Sequence, residues 1–208
     1  MKKSLIPLAA IAFILPISAF AEVLHQGTAS IGYAVRDQEM IVRGSTVDGD
    51  YTGTQLAASF FTSDQLEIGG GYMRGNTKVL SAKFKDTDLY ASATYHFSRA
   101  NLRTGMGAGL AAGLRATHSK LSVAGTSDSI NSTDIHLGYQ LGLGSGYTFN
   151  ADLYTDIKEF GTDRSINIGL IKSYENTYLK ASYGITTEEE HVAKSDAKGY
   201  VISVGLLF

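Results

Sequence analysis

Large apolar residues recur at every second position along most of this chain. Ala29, Ile31, Tyr33 and Val35 fall on one face of a strand, and Ser30, Gly32, Ala34 and Arg36 on the other. Leu89, Ala91, Ala93, Tyr95 and Phe97 alternate with Tyr90, Ser92, Thr94 and His96. Ile135, Leu137, Tyr139, Leu141 and Leu143 alternate with His136, Gly138, Gln140 and Gly142. Successive strand side chains point to opposite faces, so a period of two predicts strands. Ten are predicted, over residues 28–36, 54–62, 65–74, 88–98, 102–117, 133–144, 147–158, 164–172, 177–186 and 198–208. Eight is the alternative count if one weak hairpin, in 51–74 or 164–186, is misread. Tight polar turns at 62–65, 98–101, 144–146 and 173–176 alternate with longer polar connections at 37–53, 75–87, 117–132 and 187–197; 159–163 is short.

Short and long connections on opposite ends of an up-and-down sheet predict an all-β, closed antiparallel transmembrane barrel with its apolar face outward and its polar face lining the lumen. Closure satisfies every backbone group in a membrane, and the lack of proline after Pro16 suits unbroken ladders. The polar face supplies the expected lumen residues Arg36, Glu67, His96, Arg103, Arg115, His136, Gln140, Asn150, Asp152, Asp156 and Lys180. Their mixed charge allows mutual neutralisation. Gly105, Gly107, Gly109 and Gly113 are expected on the same side as Arg103 and Arg115, making room for long neighbours. Tyr33, Tyr72, Tyr95, Phe97, Tyr139, Phe149, Tyr183, Tyr200 and Phe208 form the expected outer aromatic girdles.

The N-terminus adds a second signal. Lys2 and Lys3 precede an apolar stretch from Leu5 to Ile17, and Ala19 and Ala21 form a small-x-small site. This predicts a signal peptide over 1–21, cleaved after Ala21, and one barrel domain over 22–208. Its loss leaves 16 Lys+Arg against 20 Asp+Glu, a balance that gives no reason to expect a nucleic-acid partner. The chain has no cysteine, so export rests on the leader and not on disulfides.

The chain ends on "YVISVGLLF", with Tyr200, Ile202, Val204, Leu206 and Phe208 on one face. Together with the leader and the alternating strands, this resembles the small outer-membrane β-barrel proteins of diderm bacteria: the OmpX/Ail and opacity-like barrels and the OmpA transmembrane domain. The resemblance implies that these five residues form a C-terminal sorting signal. It implies as partners outer-membrane lipid and lipopolysaccharide, and the barrel assembly machinery and periplasmic chaperones during biogenesis. A monomer is expected, with an unidentified surface ligand at the loops. Leu206 stands where many members have Tyr, and ten strands depart from the usual eight.

Candidate chemistry is sparse, and no enzyme or cofactor is expected. The string Gly107–Ala112 fits G-x-G-x-x-A, but without a strand–turn–helix context it reads as a strand glycine row. His96 and Ser98, two apart on one strand, are the sole nucleophile–base candidate, with no orienting carboxylate nearby in sequence. Glu188–His191, Asp48 with Asp50, and His118 with Asp128 read as solvated loop residues. The expected function is a non-enzymatic structural and surface-interaction scaffold; a narrow porin-like channel comes second and a lipid-modifying enzyme third.

Overall fold

The computed structural model describes residues 27–42, 45–79, 82–158, 163–190 and 193–208. The leader expected over 1–21 lies outside the described residues, as does His191. Ten strands follow one another: β1 (Gly27–Val42), β2 (Ser45–Phe61), β3 (Leu66–Val79), β4 (Ala82–Ser98), β5 (Ala108–Val123), β6 (Thr126–Gly144), β7 (Tyr147–Asp156), β8 (Arg164–Tyr174), β9 (Thr177–Glu190) and β10 (Ala193–Leu207). Each pairs antiparallel with its chain neighbours, and β1 pairs with β10, closing the barrel. The eight-strand alternative is thereby excluded. No described helix is long and apolar enough to cross a membrane, which says nothing of strands.

The alternation read from the sequence sets the two faces. Ile31, Tyr33 and Val35 point outward, at 54%, 53% and 44% exposure, while Ala34 between them is fully buried. Outward Leu89, Leu114, Leu137, Ile168, Leu179, Ile202 and Val204 continue the band around the wall. Exposing a leucine-sized side chain to water forgoes about 1.5–3 kcal/mol, and soluble monomers do not carry apolar patches wrapping their whole circumference. Lipid is the solvent this surface fits. Aromatic pairs mark its edges: Tyr95 meets Phe97 edge-on at 5.2 Å, and Tyr183 meets Tyr200 at 5.0 Å.

The strands overrun their expected ends. A spanning strand needs about 9–11 residues, yet β6 has 19 and β2 and β4 have 17 each. The segments expected as long loops are mostly paired ladder: Asp37 opposes Asp50, Lys85 opposes Ser122, and Thr187 opposes Asp196. Backbone hydrogen bonds hold these projecting hairpins where apolar alternation has stopped. Asp48 and Asp50 lie in β2, His118 in β5, Asp128 in β6 and Glu188 in β9, on strands and not in loops.

A second departure is at residues 102–107, expected as strand. These form a wide turn with an isolated bridge between Asn101 and Met106. Gly105 and Gly107 have φ of +65° and +83°, left-handed conformations that glycine adopts without Cβ penalty. Gly109 and Gly113 do face the lumen from β5, opposite Gln140 and His136.

Candidate functional site

The lumen is built in layers from inward residues of neighbouring strands. Near the end where Gly27 and Phe208 meet lies a polar chamber of about 220 Å³, large enough to hold water. Two histidine–carboxylate pairs face it. His96 Nε2 lies 2.8 Å from Glu67 Oε2, joining β4 to β3. His136 Nε2 lies 3.0 Å from Asp152 Oδ1, joining β6 to β7, and Asn150 Nδ2 donates to the other Asp152 oxygen at 2.8 Å. Gln140 and Lys180 complete the polar lining. Asn150 Oδ1 and Thr148 Oγ1 are buried without a protein partner, so water is their natural complement.

The β4–β5 turn folds across the mouth of this chamber. Leu102 packs against Ile171, Tyr178 and Leu207, inward residues of β8, β9 and β10 on the opposite wall. The turn is tied down by backbone bonds to the β6–β7 turn: Gly146 N–H donates to Thr104 O at 2.9 Å and Gly144 N–H to Gly105 O at 2.6 Å. Arg99, also on this segment, lies 3.6 Å over the Phe61 ring.

On the other side of the chamber an aromatic and ionic layer crosses the lumen. Arg115 donates from Nε (2.9 Å) and Nη2 (2.7 Å) to Asp134 Oδ2. Its guanidinium lies 3.8 Å over the Tyr154 ring, which stacks at 4.6 Å on His136. Tyr90 reaches in from β4 and lies so close to Gly71 that a Cβ there would stand 2.5 Å from the ring. Above the apolar belt, Arg36 faces the Tyr51 ring at 5.5 Å, and Asp86 and Asp88 project inward from β4. Burial and the adjacent Asp88 carboxylate push Asp86 up to about 6.

Of the residues expected in the lumen, Arg36, Glu67, His96, Arg115, His136, Gln140, Asn150, Asp152 and Lys180 lie on inward strand positions. Asp156 is buried at the end of β7, where it accepts from Thr133 N–H at 3.3 Å and Lys158 N–H at 2.7 Å, so it caps the strand end. Arg103 is not a lumen-wall residue: it is exposed on the β4–β5 turn, because the strand starts at Ala108. His96 and Ser98 do not meet. A bulge separates them, His96 is engaged by Glu67, and Ser98 Oγ accepts from Leu110 N–H at 3.1 Å. No group of three potential metal-ligating residues occurs among the described residues. Sequence reading places Tyr90 on the polar face but misses Asp134, Tyr154, Tyr51 and the latch Leu102. Parity could have placed Asp134 and Tyr154 inward; only register shows what each one touches.

Comparison of sequences finds no matching family model and no matching curated protein. Comparison of structures finds outer-membrane β-barrel proteins. Among them, the translocator domain of the autotransporter NalP from Neisseria meningitidis aligns with a TM-score of 0.52 at 11% identity, covering 96% of this chain and 97% of that one. Neisserial surface protein A gives 0.45 at 16% identity, over 86% and 96%. Ail, the attachment invasion locus protein of Yersinia pestis, gives 0.41 at 14%, over 88% and 99%. The likeness to NalP concerns the fold alone: this chain has the fold of an outer-membrane β-barrel.

Proposed function

We propose that this chain is a non-enzymatic scaffold of the outer membrane of a diderm bacterium, carrying projecting hairpins on a barrel that does not conduct. The leader at 1–21 exports it, and Tyr200, Ile202, Val204, Leu206 and Phe208 address it to the assembly machinery after periplasmic chaperones deliver it. It inserts as a monomer. The end with Gly27 and Phe208 faces the periplasm, because the short turns lie there, and the ladders beyond the belt face outward from the cell.

The observation that carries this reading is that side chains lie across the lumen at two levels. Leu102 lies across one end of the polar chamber, and the layer of Tyr90, Tyr154, Arg115 and Asp134 lies across the other. A packed interior stiffens the wall that carries the β1–β2, β3–β4, β5–β6 and β9–β10 hairpins, and such hairpins are where binding is placed on a rigid frame. The chamber itself favours a second reading, a channel that is shut at rest. Purified protein in planar bilayers separates the two: the scaffold gives no steady current at any applied voltage, and a voltage-opened current establishes the channel.

A further inference from the structure

We propose that the polar chamber of the lumen binds a small neutral polyol, one sugar ring at most, which enters from the end where Gly27 and Phe208 meet. Such a site stands whether or not the barrel conducts. Two polar side chains of the lining lack a partner: no hydrogen bond or ion pair among the described residues engages Lys180 or Gln140. A polar group enclosed without a partner is costly, and a charged one more so.

The charges of the lining select the class of ligand. Glu67 and Asp152 present carboxylates, each tied to one histidine, and Lys180 presents an ammonium to the same space. An anion meets the two carboxylates there, and a cation meets the lysine. A hydroxyl is neutral, and it both donates and accepts. One hydroxyl accepting from Lys180 and a second pairing with the Gln140 amide satisfy both groups without bringing a charge.

The size and the apolar part of the wall point the same way. Leu102, Ala111 and Ile171 line the chamber beside its polar groups. Water alone answers the polar groups and leaves these three wet, whereas the carbon skeleton of a polyol covers them. A cavity of about 150 Å³ holds a benzene ring, so the chamber, at about 220 Å³, admits a six-membered sugar ring. It also has an approach. A smaller cavity of about 80 Å³ adjoins it; Glu67, His96, Leu102 and Gln140 line both, and Gly27 and Phe208 line only the smaller one. A solute arriving from that end passes Leu102 to reach Lys180.

The test uses the full mature barrel folded in lauryldimethylamine oxide, a detergent without a sugar head, and checked by heat-modifiable migration. Binding is titrated by saturation-transfer NMR with glucose, with its anionic counterpart glucuronate and with its cationic counterpart glucosamine. Wild type is expected to bind glucose saturably, at least ten-fold more tightly than either charged sugar. K180M and Q140L are expected to weaken glucose at least ten-fold. A111F, which fills the chamber and keeps its polar groups, is expected to abolish binding, and K198Q on the outer wall to leave it unchanged. No saturable binding by wild type means that the chamber holds water only and overturns the proposal. Equal binding by wild type and A111F, or by wild type and K180M, places the sugar elsewhere and overturns it too; either variant suffices if the other does not fold. Equal affinity for a charged sugar overturns the choice of a neutral ligand. Conductance is not measured here, so none of these outcomes bears on the scaffold reading.

Discussion

Gly27 and Phe208 exchange both of their backbone hydrogen bonds, Gly27 N–H to Phe208 O at 2.7 Å and Phe208 N–H to Gly27 O at 3.1 Å. The barrel therefore closes through its final residue. The Phe208 ring occupies the space beside Gly27, where a Cβ would stand 2.4 Å from it. Replacing Gly27 by Val should displace the ring and lower the fraction of heat-modifiable barrel several-fold. Deleting Phe208 should lower assembly in cells more than it lowers refolding in detergent, because a sorting signal is read only in the cell. Equal losses in the two settings would leave Phe208 a strand residue without an address.

The pair between Arg115 and Asp134 is half withdrawn from solvent, with side-chain exposures of 28% and 12%. Removing one partner of a buried pair strands the other charge, whereas surface pairs matter little. Asp134→Ala should therefore cost about 2 kcal/mol in urea unfolding. The double variant R115M/D134L should recover most of that loss, since an apolar replacement leaves no charge behind. A double variant as unstable as the single one would show that the layer is held by packing on Tyr154 instead.

The two proposed closures, in series, make a specific pattern in conductance. Leu102→Gly alone should stay silent, because the tyrosine layer remains. Tyr154→Ala alone should also stay silent behind Leu102. The two together should pass a small steady current. A current from either single variant would show that the other closure does not seal.

Asp86 gives the barrel a pH dependence of defined sign. Burial and Asp88 raise it to about 6, against about 3.9 for an unfolded aspartate. Between these values the folded state holds a proton that the unfolded chain has lost. The stability this group contributes is full below about pH 4 and disappears as pH rises through about 6. Asp86→Asn should therefore gain on wild type in urea midpoint between pH 4.5 and pH 7.5. A constant difference across that range would contradict the shift.

Much of the fold is legible in the sequence, for a physical reason. Within the belt one face meets lipid and the other a polar lumen, so alternation is enforced, and Ile31, Tyr33 and Val35 declare their side. Above the belt both faces meet water, alternation lapses, and the ladder from Asp37 to Val42 reads as loop although its backbone bonds continue. Between Leu102 and Gly107 the opposite error arises: glycines at alternate positions imitate a strand, and nothing in a period reveals that Gly105 and Gly107 have positive φ. The lumen was legible as a set of polar residues and not as pairs. His136 finds Asp152, and Arg115 finds Asp134, through a register that no single strand contains. Tyr154 escaped because a tyrosine suits either a girdle or a packed lumen, and Tyr51 because its segment reads as loop.

The central claim is that this wall is solvated by the lipid of the outer membrane. Fractionation of cells expressing the full chain, followed by electrophoresis with and without boiling, tests it most directly. Protein in the outer-membrane fraction, migrating faster unboiled than boiled, is the expected result. Recovery in the soluble periplasm, with the same mobility in both lanes, would contradict it.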